Sequence, residues 1–272
     1  MQYCFLTSVY KNSKVEEVKL CVSDMLSQTL PPSQIVIVVD GAVEKALAKY
    51  LHLLEENPVF SVVYLPKNVG LGNALRAGME RCRYEMIARM DTDDRMEKRR
   101  IEKQLAIFKK DETLSLVGSN IDEFIDSVEN VQSVRSVPKT HKEICAYLKK
   151  RCPFNHMTVV FKKTEVEKAG GYLAWHFAED YYLWVRMYLA GCKFYNVQEN
   201  LVHARIDENT FLRRGGWEYY KSERDLFKFM NKRKMIGYFA YQKAKILRFI
   251  LQVLLPNKAR AWVFKKFART KS

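Results

Sequence analysis

Apolar residues in the first hundred positions fall alternately into short continuous runs and longer stretches with helical spacing. Residues 3–9 (YCFLTSV) are one such run and predict an opening strand. Over residues 15–28, Val18, Leu20, Cys21, Val22, Met25 and Leu26 recur on one side of a 3.6-residue period, which predicts a helix. Leu30-Pro31-Pro32-Ser33 breaks it. Residues 35–39 (IVIVV) are β-branched throughout, as in a strand buried on both faces of a parallel sheet. The run stops at Asp40-Gly41, a turn pair. Residues 42–56 predict a helix, 61–65 a strand, 70–82 a helix and 84–90 (YEMIARM) a fourth strand. This alternation predicts an α/β fold with an open, mostly parallel sheet flanked by helices. The later pattern is less regular. It gives a helix over 96–109, a strand over 114–119, a polar hairpin or extended excursion over 120–137 and a helix over 141–150. A strand over 157–161, a helix over 178–190 and a strand over 193–197 follow, and the chain is mostly helical from about 215.

In open α/β sheets ligands bind beyond the carboxyl ends of the strands, and two predicted strands end in acid. Asp40 follows IVIVV, and Asp91-Thr92-Asp93-Asp94 follows YEMIARM. Three carboxylates at one strand end repel each other unless something positive sits among them. Mn²⁺ or Mg²⁺ suits such hard oxygen ligands and keeps positions for water and phosphate. The third strand leads into Lys67-Asn68-Val69-Gly70-Leu71-Gly72-Asn73-Ala74-Leu75-Arg76, a strand-to-helix turn that opens on glycines. Small residues at a helix N-terminus let phosphate come close, so Asn68, Gly72 and Arg76 are candidate phosphate or cofactor contacts. Glu179-Asp180 opens the helix after Trp175-His176-Phe177. Taken locally, two acids in a first turn also satisfy the helix dipole.

Composition narrows the class. Apolar residues make up 48% of the 272, too many for a disordered chain. The six cysteines are scattered with no C-x-x-C pair, which predicts reduced thiols rather than disulfides or zinc ligands. No h-region of a signal peptide and no apolar run long enough to span a membrane stands out, so the expectation is a cytoplasmic protein. Net charge is +15, and it is unevenly placed: residues 213–272 carry 17 basic and 3 acidic residues, the other 212 carry 29 and 28. A neutral body with a basic tail points to an anionic surface as partner.

Three segments together, QTLPPSQIVIVVDG, LPKNVGLGNALRAGMERCRYEMIARMDTDD and FAEDYYLWVRMYLAG, resemble family 2 glycosyltransferases, which have the GT-A fold. They occur in the family's order over roughly residues 3–206. RCPFNHMTVVFKK, AGGY and RRGG are similar to the bacterial branch that builds capsular, exopolysaccharide and O-antigen repeat units. The resemblance implies a GT-A catalytic domain over 1–212, with a nucleotide-binding part about 1–119 and an acceptor part about 120–212, and a basic helical extension over 213–272. It implies that Asp40 binds the nucleotide base, that Thr7 and Val9 line the base pocket, that Asp91 lies near the ribose, and that Thr92 belongs to the same nucleotide site. Asp91 and Asp93 become metal ligands for Mn²⁺ or Mg²⁺, with Asp93 the principal one and Asp94 adjacent. Asp180 becomes the general base that deprotonates the acceptor hydroxyl for inverting attack on the anomeric carbon. The opening strand departs from the family by ending in Ser8-Val9-Tyr10 without proline, which leaves the nucleotide open. The Q-x-x-R-W motif of processive synthases is absent, and the expectation is transfer of a single sugar.

Weaker candidates surround these. His156, Glu179, His203 and Arg205 are placed to contact acceptor or diphosphate, Gly171 to shape an acceptor-side loop and Trp175 to stack on a sugar. In the tail, Ile246, Leu247, Phe249, Ile250, Val253 and Leu254 recur at helical spacing beside Lys243, Lys245 and Arg248, and Trp262 to Phe267 repeats the mixture. Basic amphipathic helices suit an anionic membrane interface, although packing on the catalytic domain would leave the same pattern. The expected partners are therefore a nucleotide-sugar donor, a polyprenyl-diphosphate-linked saccharide acceptor and an anionic membrane surface. The expected location is peripheral on the inner face of the cytoplasmic membrane. The expected donor is a UDP-hexose or UDP-N-acetylhexosamine, with dTDP-rhamnose as the alternative. A nucleic-acid-binding protein would explain the tail but not the acids, and no recognisable module accompanies it. A nucleotidyltransferase would want a glycine-rich basic loop after the first strand, where TSVYKNSK has no glycine.

Overall fold

The predicted alternation is present in the computed structural model, which describes residues 1–207, 215–256 and 259–260. The elements run β1 (Tyr3–Val9), α1 (Val15–Leu26), β2 (Gln34–Asp40), α2 (Lys45–Glu55), β3 (Phe60–Leu65), α3 (Leu71–Arg81) and β4 (Met86–Arg89). The four strands are parallel in the order β3-β2-β1-β4. Every residue of β2 is buried, as an all-β-branched run requires.

The second half adds β5 (Arg95–Met96), α4 (Arg100–Lys110), β6 (Leu116–Phe124), β7 (Val131–Arg135) and α5 (His141–Leu148). A 3-10 turn over His156–Thr158, β8 (Val160–Lys162), α6 (Lys163–Lys168), α7 (Glu179–Leu189) and β9 (Phe194–Arg205) follow. The sheet continues from β4 through β8, β6 and β9 to β5, with β7 paired on β6. β6 and β9 are parallel, whereas β8, β7 and β5 pair antiparallel. The excursion over 120–137 is thus the β6–β7 hairpin.

Two departures from the sequence pattern have local causes. The helix expected from residue 96 begins at Arg100, because Asp24 of α1 captures the segment before it. Its carboxylate accepts Arg95 Nε at 2.6 Å, Arg95 Nη2 at 2.8 Å and Met96 N at 3.1 Å. β9 extends eight residues beyond Val197, since its ladder with β6 survives two register shifts around Asn120 while Gln198, Glu199 and Asn200 interrupt the apolar run.

Two apolar cores lie on the two sides of the sheet. Gly78 of α3 is a contact point in the first. A Cβ there would stand 2.4 Å from Leu6 Cδ1 and 2.7 Å from Val38 Cγ2. Gly78→Ala is expected to cost about 1–3 kcal/mol through overpacking, read as a lower urea midpoint at unchanged m-value. An unchanged midpoint would show that β1 and β2 give way freely. All six cysteines are free thiols.

α8 (Trp217–Lys232) and α9 (Tyr238–Phe249) complete the described chain, with a π-helical turn over Ile250–Leu254. Leu226, Phe227 and Met230 of α8 are buried in the same core as Leu6 and Val38. The neutral-to-basic step at residue 213 is therefore not a step in packing. Arg213, Arg214 and the segment from Trp262 to Phe267 lie outside the described residues.

Candidate active site

A cavity of about 500 Å³ opens at the carboxyl ends of β1, β2 and β4. Its walls include Ser8, Tyr10, Lys14 and Glu17 from β1 and the loop into α1, Asp40, Asn68 and Gly70, and all four residues Asp91 to Asp94. Ile121, Glu123, Arg135, Ala204 and Arg205 close it from the β6, β7 and β9 side. Strand alternation decides which β1 residues face it: Ser8 and Tyr10 line the cavity, while Thr7 and Val9 are fully buried.

Asp40 shapes one wall. Gly41 adopts φ +81°, and a Cβ on it would meet Asn68 N at 2.6 Å, so only glycine lets the two turns touch. Across that contact the Asp40 carboxylate accepts Asn68 Nδ2 at 2.9 Å, Val69 N at 2.7 Å and Gly70 N at 3.1 Å. A carboxylate has about four acceptor sites, so one is left toward the cavity. Gly72 is buried rather than facing the cavity. A Cβ on it would be 2.8 Å from the Leu173 carbonyl and 3.3 Å from Glu179 Cβ. Its smallness brings the start of α3 against the start of α7. Arg76 is exposed further along α3.

The acids at the end of β4 are crowded. Asp94 is buried; its Oδ1 accepts Arg205 N at 2.8 Å, and its Oδ2 has no hydrogen-bond partner among the described residues. Burial, then the charges of Asp93 and Asp91, push its carboxyl well above the ordinary range. Asp93 reaches the cavity, yet desolvation by its walls and the charge of Asp91 raise it to about 6. Six carboxylates line the cavity against Lys14, Arg135 and Arg205. That imbalance, and the orphaned Asp94 oxygen, fit a divalent cation between the acids and a diphosphate. Among the described residues no three His, Cys, Asp or Glu side chains form a self-sufficient metal cluster, so a cation here needs oxygens from the ligand or water as well.

Behind the acids lies Arg89, fully buried at the end of β4 and ion-paired through Nη1 to Asp91 Oδ1. The residue was not singled out from the sequence, although a lone arginine inside the apolar run MIARM is an anomaly that could have marked it. Its charge also acts on the acids at the start of α7, opposing the rise of both the Glu179 and Asp180 carboxyls. Arg135 is a second cation that the sequence did not reveal. It lines the cavity, donates to the Cys152 and Phe154 carbonyls at 3.4 and 3.5 Å, and opposes the rise of Asp180.

At the start of α7, Asp180 Oδ1 accepts Tyr181 N at 2.6 Å, and Cys152 Sγ lies 3.6 Å from Oδ2. Burial raises the Asp180 carboxyl above its usual value. Burial and the neighbouring Asp180 raise Glu179 to about 7. A carboxylate in such surroundings is a better proton acceptor than one in water. His156 Nε2 meets the Tyr172 hydroxyl at 2.9 Å, and burial together with Arg89 holds its ring neutral.

The other candidates scatter. Trp175 packs on Tyr182 with ring centroids 4.2 Å apart and donates to the Ser222 carbonyl of α8 at 3.2 Å. Gly171 turns the loop at φ +66°, its carbonyl held by Arg186 Nη2 at 2.7 Å. His203 stands between Asp122 at 2.8 Å and Glu97 at 3.2 Å, and these carboxylates raise its pKa. It is not among the cavity-lining residues. Arg205 is: its Nε donates to the Asp93 carbonyl at 3.1 Å, and its guanidinium lies 4.7 Å from the centre of the Phe124 ring.

Residues 6–166 match the family model described as Glycosyl transferase family 2. The chain is 32% identical over 268 residues to the amylovoran biosynthesis glycosyltransferase AmsE of Erwinia amylovora, covering 97% of this chain and 98% of that one. It is 30% identical over 270 residues to the UDP-Gal:alpha-D-GlcNAc-diphosphoundecaprenol beta-1,3-galactosyltransferase of Escherichia coli, covering 98% and 97%. Among solved structures, S. aureus TarS 1–349 in complex with UDP-GlcNAc superposes with a TM-score of 0.68 at 12% identity, over 92% of this chain and 73% of that one. That likeness is one of fold.

Proposed function

This chain belongs to glycosyl transferase family 2, and from that premise we propose that it moves one sugar from a UDP-activated hexose or N-acetylhexosamine to a hydroxyl of a lipid-linked saccharide. Surface polysaccharide synthesis in bacteria is the setting its relatives support. The observation that carries the reading is the pairing of two acid sites: a cavity of nucleotide-sugar size walled by Asp91 to Asp94, and, outside its lining, the Glu179-Asp180 pair, whose Glu179 packs on the turn at Gly72 and feels the charge of Asp91. The E. coli relative's name specifies a UDP-galactose donor and a diphosphoundecaprenol-linked acceptor, which favours the same substrate classes here.

In this reading Asp40 and Tyr10 hold the nucleoside end, while Asp91 and Asp93 would hold Mn²⁺ or Mg²⁺. When bound, the cation neutralises the diphosphate and makes it a better leaving group. Arg89 pairs with the Asp91 carboxylate and orients it from behind. Asp180 takes the proton from the acceptor hydroxyl as its oxygen bonds to the anomeric carbon. The bond from that carbon to the diphosphate oxygen breaks on the opposite face, its electron pair leaves with UDP, and the configuration inverts. Residues up to about 119 supply most of the donor site, and the acceptor enters from the side of residues 120–212. The enzyme works at the cytoplasmic face of the membrane, where such acceptors are reached. No helix among the described residues is long and apolar enough to cross it.

The deciding test is titration and hydrolysis over UDP-, dTDP- and GDP-sugars with Mn²⁺. UDP is expected to bind, and one UDP-sugar to bind and turn over at least about tenfold better than the other sugar nucleotides, a free-energy difference of about 1.4 kcal/mol. Preference for dTDP-rhamnose would replace the donor assignment, and no nucleotide binding at all would end the reading.

A further inference from the structure

α9 has two unlike faces. On the inner side, Tyr241 and Ala244 pack against the core, and Arg248 pairs with Glu223 of α8 at 3.1 Å and lies 3.8 Å from the Phe227 ring centre. Gln252 in the turn beyond is buried and bonds to Glu223. Residues 241, 244, 248 and 252 follow helical spacing, so this face is a seam with the catalytic body. The opposite stripe holds Phe239, Lys243, Ile246, Ile250 and Leu254, again at steps of three and four. Here the apolar groups face outward: Phe239 is 87% exposed, Ile246 59%, Ile250 42% and Leu254 60%, with Leu247 at 48% beside them.

Isolated exposed apolar residues are ordinary, but a contiguous stripe along a whole helix marks an interaction surface. Its surroundings choose the partner. Lys243 sits within the stripe, and Lys232 at the end of α8 and Arg233 and Lys234 in the turn that follows it are exposed. No acidic residue follows Asp225, while 13 basic residues do. A second copy docking through this stripe would set lysine against lysine with no carboxylate to answer it. A bilayer with anionic headgroups answers both features, taking the apolar side chains into its interface and the cations to its charge.

We infer that the outer face of α9 is the membrane-docking surface of this enzyme, with Phe239, Ile246, Leu247, Ile250 and Leu254 entering the headgroup region of an anionic bilayer. This rests on the proposed lipid-linked acceptor and deepens it. Arg248 Nη2 donates to the Lys150 carbonyl at 2.9 Å, and two residues on, Cys152 touches Asp180. The docking helix is therefore braced on the segment beside the base. The acceptor's lipid end can remain in the bilayer while its sugar reaches Asp180. α8, part of the core, does not share in docking.

Sedimentation of the full chain with phosphatidylglycerol vesicles, neutral phosphatidylcholine vesicles and no vesicles tests this. Binding to the anionic vesicles is expected, with little to the neutral ones and partial release at high salt. The full-length variant carrying Phe239→Ser, Ile246→Ser and Ile250→Ser should bind anionic vesicles at least about tenfold more weakly. Its melting temperature and UDP affinity should be unchanged, because the three side chains are exposed. Equal binding to both vesicle types, or full binding by the triple variant, would overturn the assignment. So would a concentration-dependent dimer that the triple variant abolishes. Transfer to a water-soluble acceptor separates this inference from the one beneath it. Wild type and triple variant should be equally active there, and inactivity of both with every nucleotide-sugar would indict the proposed function while leaving vesicle binding to stand or fall alone.

Discussion

Asp180→Asn is expected to lower kcat by about 10²–10⁴-fold, the usual contribution of a positioned general base, with UDP affinity changed less than about threefold. The substitution preserves shape and the bond from Tyr181 N, removes the proton acceptor, and beyond that loses only the weak contact from Cys152 Sγ to Oδ2. Glu179→Gln alters a neighbour that burial and Asp180 already push to about 7, and should retain turnover within about tenfold of wild type. The pH dependence gives a second readout. A base works deprotonated, so activity falls as pH drops through its pKa in the folded enzyme. Burial raises that value for Asp180, so the acid limb should lie above the ordinary aspartate range and vanish in Asp180→Asn. Near-wild-type turnover by Asp180→Asn, or a larger loss from Glu179→Gln, would move the base to another group.

The donor half of the molecule was legible in the sequence because its elements are local. IVIVV can only be a buried strand, and the acids that end IVIVV and YEMIARM necessarily arrive at one edge of the sheet. What the sequence could not give is which residues the second half brings across. Arg135 reaches the cavity because β7 folds back on β6; Arg205, already a candidate from the sequence, does so because β9 runs eight residues past the end of its apolar signal, an extension the sequence did not predict. Both depend on pairings between residues about 10 to 80 positions apart, which no local period encodes. Side-chain phase was the finer obstacle at β1. A shift of one residue exchanges Thr7 and Val9 for Ser8 and Tyr10, and both pairs are compatible with a buried strand end.

The tail shows the same limit from the other direction. Net charge drew a line at residue 213, yet α8 belongs to the core, and among the described residues of the tail the unpartnered apolar face is that of α9. Charge totals average over helices whose two sides do different things. The separation came from contacts, chiefly the Glu223 carboxylate, which holds Arg248 and Gln252 on the inner side and so turns Ile246 and Ile250 outward. A sequence reading that assigned all of Phe249, Ile250 and Val253 to one surface missed that Phe249 packs between Trp217 and Tyr220.

Removal of divalent metal is expected to suppress transfer by about 10²-fold or more, with recovery in Mn²⁺ or Mg²⁺. The reason is the charge count at the end of β4. Asp91 has Arg89 as a partner, but among the described residues the Asp93 and Asp94 carboxylates have no ion-pair partner, and each is raised by burial and by its neighbours. A diphosphate entering this cavity adds negative charge to six carboxylates already there. Either the acids take up protons or a cation enters, and only the cation also stabilises charge on the departing UDP. Asp93→Asn should therefore behave like chelation. Calorimetry should find UDP binding strengthened by Mn²⁺ in the wild type and insensitive to it in the variant, a readout that does not require turnover. The pH dependence has a worked sign. Without metal, the raised Asp93 carboxyl at about 6 means that acidification below that value protonates it and relieves repulsion toward UDP. Metal-free UDP binding should therefore strengthen as pH falls from 7 to 5, whereas Mn²⁺-supported binding weakens as protons compete for the ligand oxygens. Full activity in EDTA, or identical Mn²⁺ dependence of UDP binding in Asp93→Asn, would remove the metal from the reaction and leave Arg135 and Arg205 as the groups that must neutralise the diphosphate.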